Sequence, residues 1–239
     1  MNILLLGYGK MGRFIEQLAL QRNHTIVAKI DENNKEELKT LDTGQIDAAI
    51  EFSSPEAAAD NIRFCLENQI PVVSGTTGWL DKMEEIKACC KQKDGAFFYA
   101  SNYSIGVNIF FKLNEYLAEM MNRYPEYKVD VEEIHHTEKL DSPSGTAITL
   151  AEGIISRNDR KKQWKNEDSS EENVLPIHSF REPNVPGTHT INYKSEIDDL
   201  TINHTAHSRK GFAMGAMLVA EWIKDKKGVL DMNDFLSFN

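Results

Sequence analysis

The hydrophobic positions of this chain change period along its length. Ile3-Leu4-Leu5-Leu6 is an unbroken apolar run, and behind it Met11, Phe14, Ile15, Leu18 and Ala19 recur at helical spacing. A strand buried on both faces reads as a continuous run, whereas a helix shows one apolar stripe every three or four residues. Gly7-Tyr8-Gly9-Lys10-Met11-Gly12 joins them, so the pattern predicts strand, glycine turn, helix. Thr25 to Ile30 predicts a second strand, ending at Asp31. Ala48-Ala49-Ile50-Glu51-Phe52 predicts a third, then Ser54 as N-cap, Pro55 at the first helical position and a helix carrying Ile62, Cys65 and Leu66. Pro71 to Ser74 enters Gly75-Thr76-Thr77-Gly78 and a helix near Asp81 to Lys91, and Ala96 to Ala100 enters Ser101-Asn102-Tyr103-Ser104. Strands alternating with helices predict an α/β fold, a Rossmann-type parallel sheet whose strand ends open into one ligand crevice.

After about residue 105 the period changes. Val107, Phe110, Phe111, Leu117 and Met121 mark a long amphipathic helix, and Tyr127 to Val131 alternates as a half-buried strand does. Alternation returns at Ile191 and Tyr193 and at Leu200 and Ile202, which predicts a second, α+β domain with a mixed or antiparallel sheet. Arg157 to Glu172 is nearly all polar and is expected to be a solvated loop. A closing helix from Ala213 to Lys226, with Met214, Met217, Leu218, Ala220 and Trp222 as core residues, is expected to pack back on the first domain. The predicted domains are residues 1–104 with 210–239, for dinucleotide binding, and residues 105–209, for substrate binding.

Charge and cysteine usage narrow the function. The 239 residues are 41% hydrophobic and 27% charged, and the net charge of −10 disfavours nucleic acid and anionic membrane as partners. An anionic ligand therefore needs a local cationic cluster. Cys65, Cys89 and Cys90 have no CxxC spacing and read as reduced packing or surface residues. No apolar run has the length of a membrane span, and Met1 to Leu6 is too short for a signal peptide, so a cytoplasmic location is expected.

Residues 133–147, Glu-Ile-His-His-Thr-Glu-Lys-Leu-Asp-Ser-Pro-Ser-Gly-Thr-Ala, bring two imidazoles and an ammonium up to a small-residue turn that opens a helix. Free N–H groups at a helix start hold anions, and histidine titrates near neutrality, so this segment fits a small polyanion with a proton donor beside it. Neighbouring His135 and His136 at a strand end point to opposite sides and divide the work. Ser144, Gly145 and Thr146 offer N–H groups and hydroxyls to a carboxylate. A metal site from Glu132, Glu133, His135 and His136 lacks a third well-spaced histidine or a cysteine pair, and no metal is expected. Lys139 as a Schiff-base nucleophile fits poorly beside a nucleotide-binding half. His189, His204 and His207 lie on predicted strands and read as structural. At the other end, glycines between strand and helix let a backbone approach a pyrophosphate, and Asp31 stands where such folds place a carboxylate for the ribose.

Collected, these motifs resemble dihydrodipicolinate reductase, the lysine-pathway family, over nearly the whole chain. The family's two histidines, lysine and Asp-small-Pro-Ser-Gly-Thr appear as His135, His136, Lys139 and Asp141 to Thr146. Its Gly-Thr-Thr-Gly turn appears as Gly75 to Gly78, its Ala-Asn-aromatic-Ser turn as Ala100 to Ser104, and its late Ser-Arg as Ser208-Arg209. The resemblance implies hydride transfer from NADH or NADPH to a cyclic dicarboxylate, giving tetrahydrodipicolinate, in a homotetramer assembled through residues 105–209, which thereby serve both substrate binding and oligomerisation. It implies that Gly7, Gly9, Lys10, Met11 and Gly12 hold the pyrophosphate, Asp31 the adenosine ribose, and Gly75, Thr77, Ala100 and Tyr103 the nicotinamide end. It implies that His136, Lys139, Ser144, Gly145 and Thr146 bind substrate carboxylates, that His135 with Lys139 supplies the proton, and that Arg209 acts on the cofactor side near the domain junction.

The chain departs from the family in three places. Its first two glycines stand one residue closer together, the segment from Asp31 to Asp47 is short, and Asp31 is followed by Glu32 rather than by a cation suited to a 2′-phosphate. Lys29 and Lys35 are near enough in sequence to reach such a phosphate, but a carboxylate pair repels it, and NADH is the favoured coenzyme. Another nicotinamide-dependent dehydrogenase would have no use for the dicarboxylate cradle, and a dinucleotide sensor none for His135 and Lys139.

Overall fold

A computed structural model describes residues 1–208 and 210–238. The chain divides into two compact units: Met1–Ile105 together with the described residues from Lys210 onward, and the segment between them from Gly106.

The first unit is built on a six-stranded parallel sheet. In chain order its strands are β1 (Asn2–Leu6), β2 (Thr25–Ile30), β3 (Ala48–Glu51), β4 (Val72–Ser74), β5 (Ala96–Tyr99) and β11 (Gly228–Leu230), arranged β11-β5-β4-β3-β1-β2. Helices α1 (Lys10–Gln21), α2 (Pro55–Glu67), α3 (Met83–Gln92), α6 (Lys210–Ile223) and the short α7 (Met232–Leu236) complete it. The apolar run of β1 shows why both faces are covered. Ile3 and Leu5 pack with Ile15 and Ala19 of α1 and Ala216 and Val219 of α6, while Leu4 and Leu6 pack with Ile62 and Leu66 of α2 and Ile86 of α3. Burial on both sides removes the polar alternation a half-exposed strand would carry.

The second unit carries α4 (Ile105–Met121) beyond its first residue, β6 (Lys128–His135), α5 (Gly145–Arg157), β7 (Gln163–Lys165), β8 (Val174–Arg181), β9 (Gly187–Lys194) and β10 (Asp199–Ala206). Its mixed sheet runs β10-β9-β6-β8-β7, with β6 antiparallel to β9 and parallel to β8. Val129 and Val131 of β6 pack with Phe110 and Leu117 of α4 and Leu150 and Ile154 of α5.

The expected solvated loop from Arg157 to Glu172 is corrected in part. Gln163–Lys165 pairs with Val174–Pro176, and Lys161 Nζ donates to the carbonyls of Glu172 and Val174 at 2.9 and 2.7 Å. Three residues cannot show a period, so this strand exists only through its partner. Strand β11, which pairs with β5, went unpredicted for the same reason. The predicted strand from Tyr127 to Val131 extends to His135.

Candidate functional site

In the first unit, strand β1 passes into α1 through the glycine turn. Gly7 has φ of +95°, and a Cβ there would lie 2.0 Å from the Phe52 carbonyl oxygen, so only glycine fits between these backbones. A Cβ on Gly12 would lie 2.3 Å from the Gly7 oxygen, which brings the helix hard against the turn. Gly9, the N-cap of α1, makes no side-chain cap and has open space where a Cβ would project. The helix thus begins with N–H groups directed at a cleft of about 370 Å³ lined by Gly7, Gly9, Asp31, Lys35, Phe52 and Ser53. A dinucleotide fits this arrangement: bare backbone at a helix start for the pyrophosphate, and a carboxylate at the rim for a ribose. Lys10 is exposed at the first helical position, and Met11 packs its side chain into the core, leaving only backbone to offer.

Asp31 follows β2, with its Oδ1 accepting from Asn33 N at 2.8 Å. Behind it Lys29 Nζ is held by Glu16 Oε1 at 3.1 Å and lies 4.7 Å from the centre of the Tyr8 ring. Tyr8 OH also donates to Glu16, and this bond followed by Lys29 keeps the Glu16 carboxyl below the usual carboxylate range despite some burial.

At the ends of β4 and β5, Gly75 lets the Phe52 ring lie where a Cβ would stand, 2.2 Å away. Ala100 is half-buried and Thr77 exposed. Tyr103 is placed differently from what its assignment suggests: it is 2% exposed, its OH donates to the Ser74 carbonyl at 2.7 Å, and burial pushes its phenol well up. Its ring packs on Phe52 and Phe98, so this residue shapes the crevice from beneath.

In the second unit the site grows out of the last turn of β6. The face that carries Val129 and Val131 continues with Glu133 and His135, because alternate residues of a strand share a side. Register places Ser179 of β8 and His189 of β9 on either side of Glu133, and Arg181 beside His135. Ser144 N donates to both Glu133 oxygens at 3.1 Å, and Ser179 Oγ to Oε1 at 2.8 Å. Around them stand Arg181 Nη1 at 3.5 Å, His189 Nε2 at 3.7 Å and His135 Nδ1 at 3.3 Å. The His135 contact is a close approach and not an aligned hydrogen bond, since its buried Nδ1 has no hydrogen-bond partner. Burial raises the Glu133 carboxyl, but the interactions with His135, His189, Ser144 and Ser179 outweigh it and hold Glu133 well below the carboxylate range. Burial pushes the His189 imidazole down, more than Glu133 restores it.

His136 follows the end of β6 and is half-buried, its Nδ1 buried without a hydrogen-bond partner. A turn closed by Lys139 N donating to His136 O at 3.1 Å then brings Lys139 back, with its Nζ 2.8 Å from Asp141 Oδ1. Arg181 braces this turn, donating to the Asp141 carbonyl at 2.7 Å. Ser144, expected to offer its own groups to a ligand, has them engaged within the chain. Its N–H is taken by Glu133, and its hydroxyl accepts from Ala147 N and lies 3.2 Å from His189 Nε2. Gly145, exposed, and Thr146 open α5 and carry the available N–H groups. A Cβ on Gly187 would come within 3.1 Å of His135 Nε2, so glycine keeps that edge of the imidazole clear.

Sequence reasoning missed Glu133 as the centre of this cluster, and with it Arg181 and His189. No local pattern marks them, because strand pairing alone assembles them. His189, expected to be structural, supplies the third donor that the metal reading lacked: a ligand atom each from Glu133, His135 and His189 lies within 4.8 Å of the others. Arg181 beside Glu133 weighs against a cation there. His204 packs against Phe110, with ring centres 6.0 Å apart, and His207 follows the end of β10. Arg209 lies outside the described residues.

The N-terminal domain model of dihydrodipicolinate reductase matches residues 1–103 and the C-terminal domain model residues 106–236. The chain is 54% identical over 237 residues to a Christiangramia forsetii protein named 4-hydroxy-tetrahydrodipicolinate reductase, covering 99% of this chain and 98% of that one. A protein of the same name from Archaeoglobus fulgidus is 33% identical over 95% of this chain and 96% of its own length. The structure of dipicolinate-bound dihydrodipicolinate reductase from Paenisporosarcina sp. TG-14 superposes with a TM-score of 0.79 at 22% identity, over 99% of each chain, and so shares the fold. With both domains matched in order along one chain, the protein belongs to the dihydrodipicolinate reductase family of NAD(P)H-dependent oxidoreductases.

Proposed function

We propose that the chain reduces 4-hydroxy-tetrahydrodipicolinate to tetrahydrodipicolinate in lysine (diaminopimelate) biosynthesis, with NADH as the preferred donor. One observation carries the reading. The Glu133 carboxylate holds together a buried imidazole, His135, and Ser144, the N-cap of a helix whose first N–H groups are uncapped by side chains apart from that of Ala147. This puts a proton donor and an anion cradle on one rigid support, which a dicarboxylate that gains a proton requires.

The bound coenzyme supplies the hydride. Gly7, Gly9, Lys10, Met11 and Gly12 present backbone to its pyrophosphate, Asp31 takes the adenosine ribose, and Gly75, Thr77, Ala100 and Tyr103 shape the nicotinamide end. His135 gives the proton from its Nε2 edge, with the Glu133 carboxylate 3.3 Å from Nδ1 on the other side of the ring, placed to favour the charged imidazole electrostatically. His136 and Lys139 take one substrate carboxylate, and Gly145 and Thr146 the other, with Ser144 holding the turn that presents them. Arg209 acts on the cofactor side. NADH preference is supported by two features: Asp31 and Glu32 repel a 2′-phosphate, and of the two lysines near them in sequence Lys29 is committed to Glu16 and the Tyr8 ring, which leaves Lys35 alone at the cleft. A homotetramer and a cytoplasmic location belong to the same reading, on the strength of the family resemblance.

An assay with substrate made in place by the preceding synthase, following NADH and NADPH oxidation separately, tests the reading. Consumption of both, with kcat/KM higher for NADH, is expected. Folded protein that consumes neither overturns the function, and a preference for NADPH overturns the coenzyme choice alone.

A further inference from the structure

Two carboxylates of the described chain are completely buried, Glu51 and Glu133. They are satisfied in opposite ways. Glu133 has an arginine and two histidines within 4 Å. Glu51, at the end of β3, has uncharged donors: Ser53 N and Thr76 Oγ1 reach Oε1 at 2.9 and 2.8 Å, Ser53 Oγ also donates to Oε1, and Ser74 Oγ reaches Oε2 at 2.6 Å. Among the described residues no lysine, arginine or histidine forms an ion pair with it.

An anion taken out of water and left without a counter-charge is expensive, even when well hydrogen-bonded. The groups that solvate Glu51 are the turns after β3 and β4, Ser53 and Ser74 to Thr76, which adjoin the residues assigned above to the nicotinamide. The field of Glu51 extends into this region: after burial, it is the next cause of the raised phenols of Tyr99 and Tyr103. A ring bound there changes charge during the reaction. Hydride departure from C4 of dihydronicotinamide carries one hydrogen nucleus and two electrons to the substrate carbon and leaves the ring with one positive charge.

We propose that Glu51 is the buried counter-charge for the oxidised nicotinamide, held uncompensated by hydroxyl and backbone donors so that positive charge developing on the ring is stabilised as hydride leaves. The proposal rests on the placement of the nicotinamide end at Gly75, Thr77, Ala100 and Tyr103. Glu51 acts through space from beneath the crevice, with low dielectric between them to preserve the interaction.

Calorimetric Kd values for NADH and NAD⁺ test it. Glu51→Gln keeps the shape and removes the charge, and is expected to raise the ratio Kd(NAD⁺)/Kd(NADH) about tenfold, with NADH binding little changed. Glu51→Asp keeps the charge and is expected to leave the ratio within about twofold, even where both affinities fall. Should Glu51→Gln fail to fold, Glu51→Asn compared with Glu51→Asp makes the same charge removal in a shorter side chain, and the ratio is expected to move the same way. A ratio unmoved by the folded charge-removing variant, or an equal loss of both affinities, overturns the proposal and leaves Glu51 a purely structural hub. Wild-type protein that binds neither form overturns the coenzyme reading and this proposal with it. Binding of both with an unmoved ratio overturns this proposal alone.

Discussion

His135 is 7% exposed, with Glu133 3.3 Å from its Nδ1 and a glycine at position 187 that sets no Cβ against its Nε2 edge. The proton transfer proposed for it is therefore separable from coenzyme binding, which the same proposal assigns to the other unit. His135→Gln is expected to lower kcat about 100-fold or more, the usual range for loss of a general acid, with Kd for NADH unchanged within about twofold. Stopped-flow turnover and calorimetry check this, and full turnover in the variant removes His135 from the proton-donating role. Lys139 is different in kind, because its ammonium is paired with Asp141 and its proposed part is to hold a substrate carboxylate. Lys139→Ala should raise KM for the substrate as well as lower kcat. A fall in kcat at constant KM would assign Lys139 to the proton transfer and not to binding. The grouping of His135, His136 and Lys139 as candidates was legible because they are close in sequence. Glu133 as hub was not, since four of its partners come from β8, β9 and the start of α5.

Helix α6 shows how an element fixes the crevice from behind. A Cβ on Gly215 would lie 1.8 Å from the Tyr103 carbonyl oxygen, so the helix rests directly on the turn that follows β5. Gly215→Ala forces the two apart, and overpacking against backbone costs about 3 kcal/mol where no side chain can yield. Urea denaturation is expected to show that loss, together with weaker binding of NADH. An unchanged midpoint would mean that α6 tolerates displacement. The long elements were legible for a simple reason: β1, α1, α2 and α6 contain enough residues for a period to declare itself, and their glycine, proline and serine boundaries are local chemistry. Strands β7 and β11, three residues each, owe their conformation to β8 and β5 and carry no pattern of their own.

For the whole molecule, the buried cluster of the second unit ties stability to pH. Glu133 has a folded pKa below its unfolded value, so its contribution is full above the usual carboxylate range and is lost as pH falls towards the folded value. His189 is also depressed: below about 6.5 the unfolded chain takes up a proton that the folded chain refuses, which again favours unfolding in acid. Both act in the same direction. Tm is expected to fall steadily from about pH 7 to pH 4, and His189→Gln to flatten the upper part of that slope, near pH 6, in scanning calorimetry. A slope unchanged in the variant would show that His189 is not depressed.

What the sequence by itself determined was the set of local instructions: which runs are strands buried on both faces, where helices start, and which short motif carries imidazoles, an ammonium and a helix start together. These depend on neighbours within a few residues, and the glycine turn and the family resemblance are of this kind. The tertiary structure decided what lies opposite what. The register of β6 against β8 and β9 brings Ser179, His189 and Arg181 around Glu133, and the order of the parallel sheet brings Ser74 and Thr76 onto Glu51. The physical reason is that a buried charge is stable only where donors converge on it, and donors from separate strands converge only after the sheet has formed.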